Sequence, residues 1–80
     1  MQTILGRVQK AFNLAFDVDP NAITIDTAPE DVKGWDSMGH VTLASSLEQE
    51  FDLVFDVQEL MDMENVRQIL KIIGSKLGQH

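Results

Sequence analysis

The segment Gly34-Trp35-Asp36-Ser37-Met38-Gly39-His40 holds most of the reactive functionality of this chain. A serine hydroxyl, a carboxylate one residue before it and an imidazole three residues after it place a nucleophile, an acid and a base within one helical turn. These residues leave three uses of Ser37 open: a helix cap, a nucleophile, or an acceptor that another protein modifies. Nucleophilic catalysis asks for more, namely an orienting group beyond the imidazole, an oxyanion hole and a substrate cleft. A helical chain of 80 residues has little room for them. The expectation is therefore that the protein is not an enzyme and that His40 is an exposed or rim residue of its helix. Two metal readings fail on spacing. Asp17 to Ala28 begins with acidic or amide groups at alternate positions, as a calcium loop does. It then places Ala22 where the sharp turn needs glycine and Ala28 where a bidentate glutamate should close the cage. His40 and His80 lack zinc-ligand spacing, so no metal is expected.

The elements that must position Ser37 are helical. Ile4, Leu5, Val8, Ala11, Phe12, Ala15 and Phe16 follow the three-and-four spacing of one buried stripe, which predicts a first helix over Gln2 to Phe16. A long connection follows, with two prolines and scattered Asp, Asn and Thr. Val18, Ile23, Ile25 and Val32 are its candidate apolar anchors. A second helix should run from about Ser37 to Phe51, capped by Asp36 or Ser37. Leu43, Leu47 and Phe51 form its core face, widened by Val41 and Ala44. Asp56 followed by Glu59 resembles a capping box and predicts a short helix near 57–61. The last helix should start between Asp62 and Glu64 and stop before Gly74, with Gly78 in the tail. The expected fold is all-α: a four-helix bundle of three main helices and one short one, with a long loop after the first.

Eighty residues are enough for one core, so residues 1–80 are expected to form a single domain. Cysteine is absent, which excludes a disulfide framework and a thiol nucleophile. No run approaches the ~18 apolar residues of a membrane span, and no signal-peptide pattern opens the chain. A cytoplasmic location is expected. The net charge is −7, and it is unevenly spread. Between Lys33 and Arg67 there is no cation, whereas Asp36, Glu48, Glu50, Asp52, Asp56, Glu59, Asp62 and Glu64 all fall there. Such an interval repels nucleic acid and attracts basic protein surfaces. A helix N-terminus also suits a phosphate, because its free N–H groups and the dipole's positive end stabilise an anion.

"GWDSMGHVTLASSLEQEFDLVF" resembles the modification site and second helix of acyl carrier proteins, with their Asp-Ser-Leu or Asp-Ser-Met motif and a downstream Leu-Glu-x-Glu-Phe. The resemblance extends from the first helix through "DPNAITIDT" to "VRQILKII". It implies that Ser37 carries a covalent 4′-phosphopantetheine from coenzyme A, with Asp36 in the modification motif. It further implies that acyl groups ride on the arm as thioesters, sheltered between the second, third and fourth helices in transit. Met38, Val41, Glu48 and Met63 would lie on the partner-facing edge. The implied partners are a phosphopantetheinyl transferase and acyl ligase, synthase or transferase enzymes with basic docking patches, met by a monomeric carrier. Gly39 and Thr42 stand where fatty-acid members are often acidic, and Trp35 is more like carriers of specialised acyl or polyketide pathways. An aminoacyl or peptidyl carrier, and an unmodified helical adaptor in which Ser37 only caps, are the alternatives.

Overall fold

The computed structural model describes residues 3–78. Four α-helices follow in chain order: α1 (Ile4–Phe16), α2 (Ser37–Phe51), α3 (Val57–Asp62) and α4 (Val66–Lys76). Thr3 caps α1, its Oγ1 accepting from Gly6 N at 2.9 Å; the expected start at Gln2 lies outside the described residues. Val8, Ala11 and Phe12 of α1 meet Leu43, Leu47 and Phe51 of α2 and Val66, Ile69 and Ile73 of α4 in one core. That close-packed arrangement follows from the apolar stripes. Val41 departs from its expected place, being 61% exposed, so the core stripe of α2 is narrower than its apolar residues imply.

The connection between α1 and α2 is long but ordered by local bonds. Pro20 and Pro29 each open a 3-10 turn, at Pro20–Ala22 and Pro29–Asp31, where a missing N–H costs nothing. Ile23 and Val32 are buried anchors, Val18 is half-buried, and Ile25 points largely to solvent. Polar side chains of α1 hold the same segment: Gln9 Nε2 donates to Ile23 O at 2.8 Å and Asn13 Nδ2 to Val18 O at 3.0 Å. At its far end Trp35 is buried and meets Phe12 edge to face, with ring centroids 5.0 Å apart.

The last helix begins later and ends later than its sequence suggests. Asn65, not a residue between Asp62 and Glu64, is the cap, its side chain accepting from Gln68 N at 2.9 Å. Val66 N donates to Thr27 O of the long connection at 3.0 Å, so a tertiary partner decides where the helix starts. At the other end α4 runs through Gly74 to Lys76. Gly74 lies within the helix, where an added Cβ would meet open space, and Gly78 beyond it has φ 76°.

The short α3 buries none of its own residues. It is held by polar ties. Its capping box is formed as expected, with Asp56 Oδ1 accepting from Glu59 N at 2.7 Å and Glu59 Oε1 from Asp56 N at 3.0 Å. Glu59 is also paired to Lys76 of α4 at 2.8 Å. The hydrogen bond from Lys76, then that from the Asp56 backbone, hold the Glu59 carboxyl below its ordinary range.

Gly39, in the first turn of α2, explains how the loop is seated. A Cβ there would run into the carbonyl of Gly34 and stand 2.9 Å from Phe16 Cε1. Gly34 itself has φ 96°, a region that suits glycine. Its carbonyl can lie against α2 only because position 39 has no side chain.

Two expectations follow from this packing. Gly39→Ala should lower stability in urea unfolding by about 1–3 kcal/mol, the usual cost of overpacking, although alanine is about 1 kcal/mol the better helix former. Glu59→Gln keeps the acceptor of the capping box but removes the charge that pairs with Lys76. Folding depresses this carboxyl's pKa, so the folded state binds fewer protons than the unfolded one. The stabilisation is therefore complete above the ordinary glutamate value and is lost as pH falls through the depressed one. Thermal melts should show the variant less stable than the parent near neutrality, with the gap closing below pH ~4.

Candidate functional site

Ser37 is the first residue of α2, and it does not cap the helix. The cap is Asp36, whose Oδ1 accepts from Gly39 N at 2.8 Å while its backbone oxygen takes His40 N at 2.7 Å. The Ser37 hydroxyl is thereby left free of a structural duty. Ser37 and Asp36 are both exposed. Among the described residues no protein acceptor faces the Ser37 and Met38 amides, the first-turn donors that a helix leaves open.

Beside Ser37 lies a groove of about 490 Å³ between the end of the long connection, α2 and α3. Trp35, His40, Val41, Leu60, Met61 and Met63 form most of its wall. A volume in this range is that of an ordinary small-ligand site. The wall is largely hydrocarbon, thioether and aromatic ring, so the groove suits an apolar guest.

His40 is not the exposed rim residue expected of it. It is half-buried, its ring nearly parallel to that of Trp35 with a 12° interplanar angle and meeting it edge to edge. Trp35 Nε1 donates to His40 Nδ1 at 2.8 Å, and His40 Nε2 lies 2.8 Å from Leu60 O. Both ring nitrogens are committed, so no imidazole lone pair is free to take a proton from Ser37. The neighbouring serine, histidine and aspartate thus have three separate jobs.

The residues expected on a partner-facing edge divide in two. Met38 is 83% exposed and Val41 61%, and Met61 of α3, which sequence reasoning passed over, is 68% exposed and lines the groove together with Val41. Met63 is different. It is 2% exposed and packs with Val66 and Ile69 in the core, because the chain turns inward directly after α3. Its placement on a docking edge is corrected: it forms part of the groove's inner wall. Glu48 is half-buried, and its Oε2 accepts from Phe55 N at 2.9 Å. That carboxylate steadies the chain leading to α3 and is only partly available to a partner.

The acidic interval as a whole does more structural work than its single sign implies. Glu50 binds Arg7 and Lys10 of α1 at 3.3 and 3.6 Å. Asp36 and Asp56 cap helices, and Glu59 holds Lys76. In the Asp17–Ala28 segment, Asp19 Oδ1 accepts from Asn21 N and Asp26 pairs with Arg67 of α4. Among the described residues no group of three metal-ligating side chains gathers, and His80 lies outside them.

Fold and site define a class: a small helical bundle that presents one free hydroxyl at a helix start, on the lip of an apolar groove. Comparison with known proteins agrees. Residues 2–73 match the family described as a phosphopantetheine attachment site. The chain is 31% identical over 78 residues to the acyl carrier protein of Phenylobacterium zucineum, covering 98% of this chain and 99% of that one. It is 33% identical over 75 residues, or 92% of its length, to a non-reducing polyketide synthase of Emericella nidulans, of which it spans 3%. The solution NMR structure of holo acyl carrier protein from Geobacter metallireducens matches with a TM-score of 0.81 at 31% identity, over 94% of this chain and 86% of that chain. The chain belongs to the acyl carrier protein family, with a covalently attached 4′-phosphopantetheine as its cofactor.

The division of labour between Asp36 and Ser37 can be measured. Asp36→Ala should cost about 1 kcal/mol of unfolding free energy through loss of the cap. Ser37→Ala should stay within about 0.5 kcal/mol of the parent, as surface changes away from structural features do. Urea unfolding of the two variants side by side reads both values.

Proposed function

We propose that Ser37 is the residue that carries 4′-phosphopantetheine, and that residues 1–80 act as a single, non-enzymatic acyl carrier domain. The observation that carries the reading is the exposed Ser37 hydroxyl, free of capping duty, at the mouth of the apolar groove. The cofactor supplies the thiol that this cysteine-free chain lacks, and with it a thioester link for acyl cargo. The chain's own residues do the rest. The open amides of Ser37 and Met38 favour an anionic phosphodiester on that oxygen, through their N–H groups and the dipole of α2. Asp36 holds the first turn in shape by taking the Gly39 amide, which keeps Ser37 outward.

Apolar lining of the groove supports an acyl cargo over an amino-acid one, since the buried walls offer no carboxylate for an ammonium group. Asp36 is the one charged residue that borders it, at its exposed rim. Docking of the transferase and of acyl ligase, synthase or transferase enzymes is assigned to the exposed Met38, Val41 and Met61. Glu64 lies exposed just beyond α3, and Asp62, whose Oδ1 accepts from Gln58 Nε2, is exposed at its end. Glu48 contributes through its charge while it holds Phe55. Such contacts are brief and salt-sensitive, as a shuttle that must depart requires. No helix among the described residues is long and apolar enough to cross a membrane. A monomer working in the cytoplasm is consistent with this reading.

Incubation with coenzyme A and a promiscuous phosphopantetheinyl transferase should add the mass of one phosphopantetheine to the intact protein. The gain should vanish in Ser37→Ala. Retention of the gain in that variant would place the arm elsewhere, and no gain in the parent would favour the unmodified adaptor. With a cognate transferase, Val41→Ala should lower kcat/KM severalfold without moving the melting temperature, as expected for an exposed docking contact.

A further inference from the structure

The inner side of the groove is closed by a hydrogen-bond chain that attachment at Ser37 does not require. Trp35 Nε1 donates to His40 Nδ1, and His40 Nε2 meets Leu60 O, each at 2.8 Å. An indole N–H can only donate and a carbonyl can only accept. Nδ1 is therefore the accepting nitrogen, and Nε2 carries the hydrogen that meets the Leu60 carbonyl. This chain joins three pieces of structure: the end of the long connection, α2 and α3.

Its position matters because of what lies on either side. In front are the groove and the Ser37 hydroxyl. Trp35 belongs to the same core as the wholly buried Leu43, Leu47, Val66 and Ile69, and Met63, 2% exposed, follows α3 into it. None of the residues of α3 is fully buried, and among the described residues His40 to Leu60 is the one hydrogen bond directly between α2 and α3. A hydrocarbon passing from Ser37 into the space between α2 and α3 must part that bond. Doing so also frees the ring that satisfies the Trp35 N–H, and an indole as buried as this one is costly without an acceptor.

We propose that Trp35, His40 and the Leu60 carbonyl form a strut that limits how deeply an acyl cargo enters the bundle, which makes His40 a specificity-determining positioning residue. The inference rests on the carrier reading of Ser37. With the strut intact, cargo lies along the groove, and its thioester stays open to solvent whatever the chain length. With the strut broken, a long chain slips between α2 and α3 and draws the thioester in after it, while a short chain gains nothing.

The test uses the full chain loaded from butyryl- or octanoyl-coenzyme A by a promiscuous phosphopantetheinyl transferase. Hydroxylamine then takes the acyl group as a hydroxamate and releases the thiol, and intact mass follows the rate. In the parent, the two cargoes should react within about twofold of each other. In His40→Ala the octanoyl form should react about tenfold more slowly than the butyryl form, the equilibrium value of roughly one hydrogen bond. Trp35→Phe keeps an aromatic ring against Phe12 while it removes the donor together with part of the buried ring. It should show the same direction of change, and it serves should His40→Ala fail to fold.

Nitrogen-15 NMR of the unloaded protein should show His40 as the Nε2–H tautomer and a slowly exchanging Trp35 indole proton. Strong protection of octanoyl in the parent, or equal reactivity of both cargoes in parent and variants alike, would overturn the strut while leaving the carrier reading intact. A chain that takes no phosphopantetheine overturns the carrier reading and the cargo limit together, and the unchanged imidazole signature identifies that case.

Discussion

A buried indole brings one polar group into the interior with it, and that N–H must find an acceptor. In this protein Trp35 lies against Phe12 at the place where the long connection turns into α2. Its N–H is satisfied five residues later, by His40. Much of the site follows from that need. The imidazole is pulled in from the rim and its second nitrogen reaches the backbone of α3. Trp35, His40 and Leu60 all line the groove beside Ser37. Burial of the ring supplies the driving force, and the hydrogen bond supplies the orientation.

Electrostatics in this chain serve the fold first and recognition second. An acidic interval without a cation looks like a docking surface, yet its members satisfy helix starts, hold α1 through Arg7 and Lys10, and tie α3 to α4. Four of the cations, Arg7, Lys10, Arg67 and Lys76, are drawn into pairs with carboxylates, Arg67 reaching Asp26 at 3.0 Å. The negative field near Ser37 is therefore what remains after those neutralisations. It is carried by side chains close to solvent, where salt screens it most effectively.

The helices were legible because their signals are local. Periodic apolar residues marked α1 and α2, and the Asp56–Glu59 box marked α3 to within a residue of its end. Features that depend on distant partners were not. The start of α4 waits on Thr27, a residue of the long connection. Met63 could not be assigned to core or surface without knowing that the chain turns inward after α3. In the site, the start of α2 at Ser37, the cap at Asp36 and the exposure of Met38 could be read from local sequence. The role of His40 could not, because one of its two partners is a carbonyl 20 residues away. Its pairing with Trp35 left a weaker trace: a lone tryptophan followed at short range by a ring that can accept.

Gly39 looked like a departure from the acidic pattern of related carriers, as if charge had simply been lost there. The Gly34 carbonyl occupying the space of its absent side chain gives another account. Positions 34, 39 and 16 form a single mechanical unit, in which an acid at 39 is barred by shape before its charge can matter. Transplanting the recognition helix of an acidic carrier onto this scaffold would thus fail at one residue unless the preceding loop came with it. Loop and helix are the smallest interchangeable part.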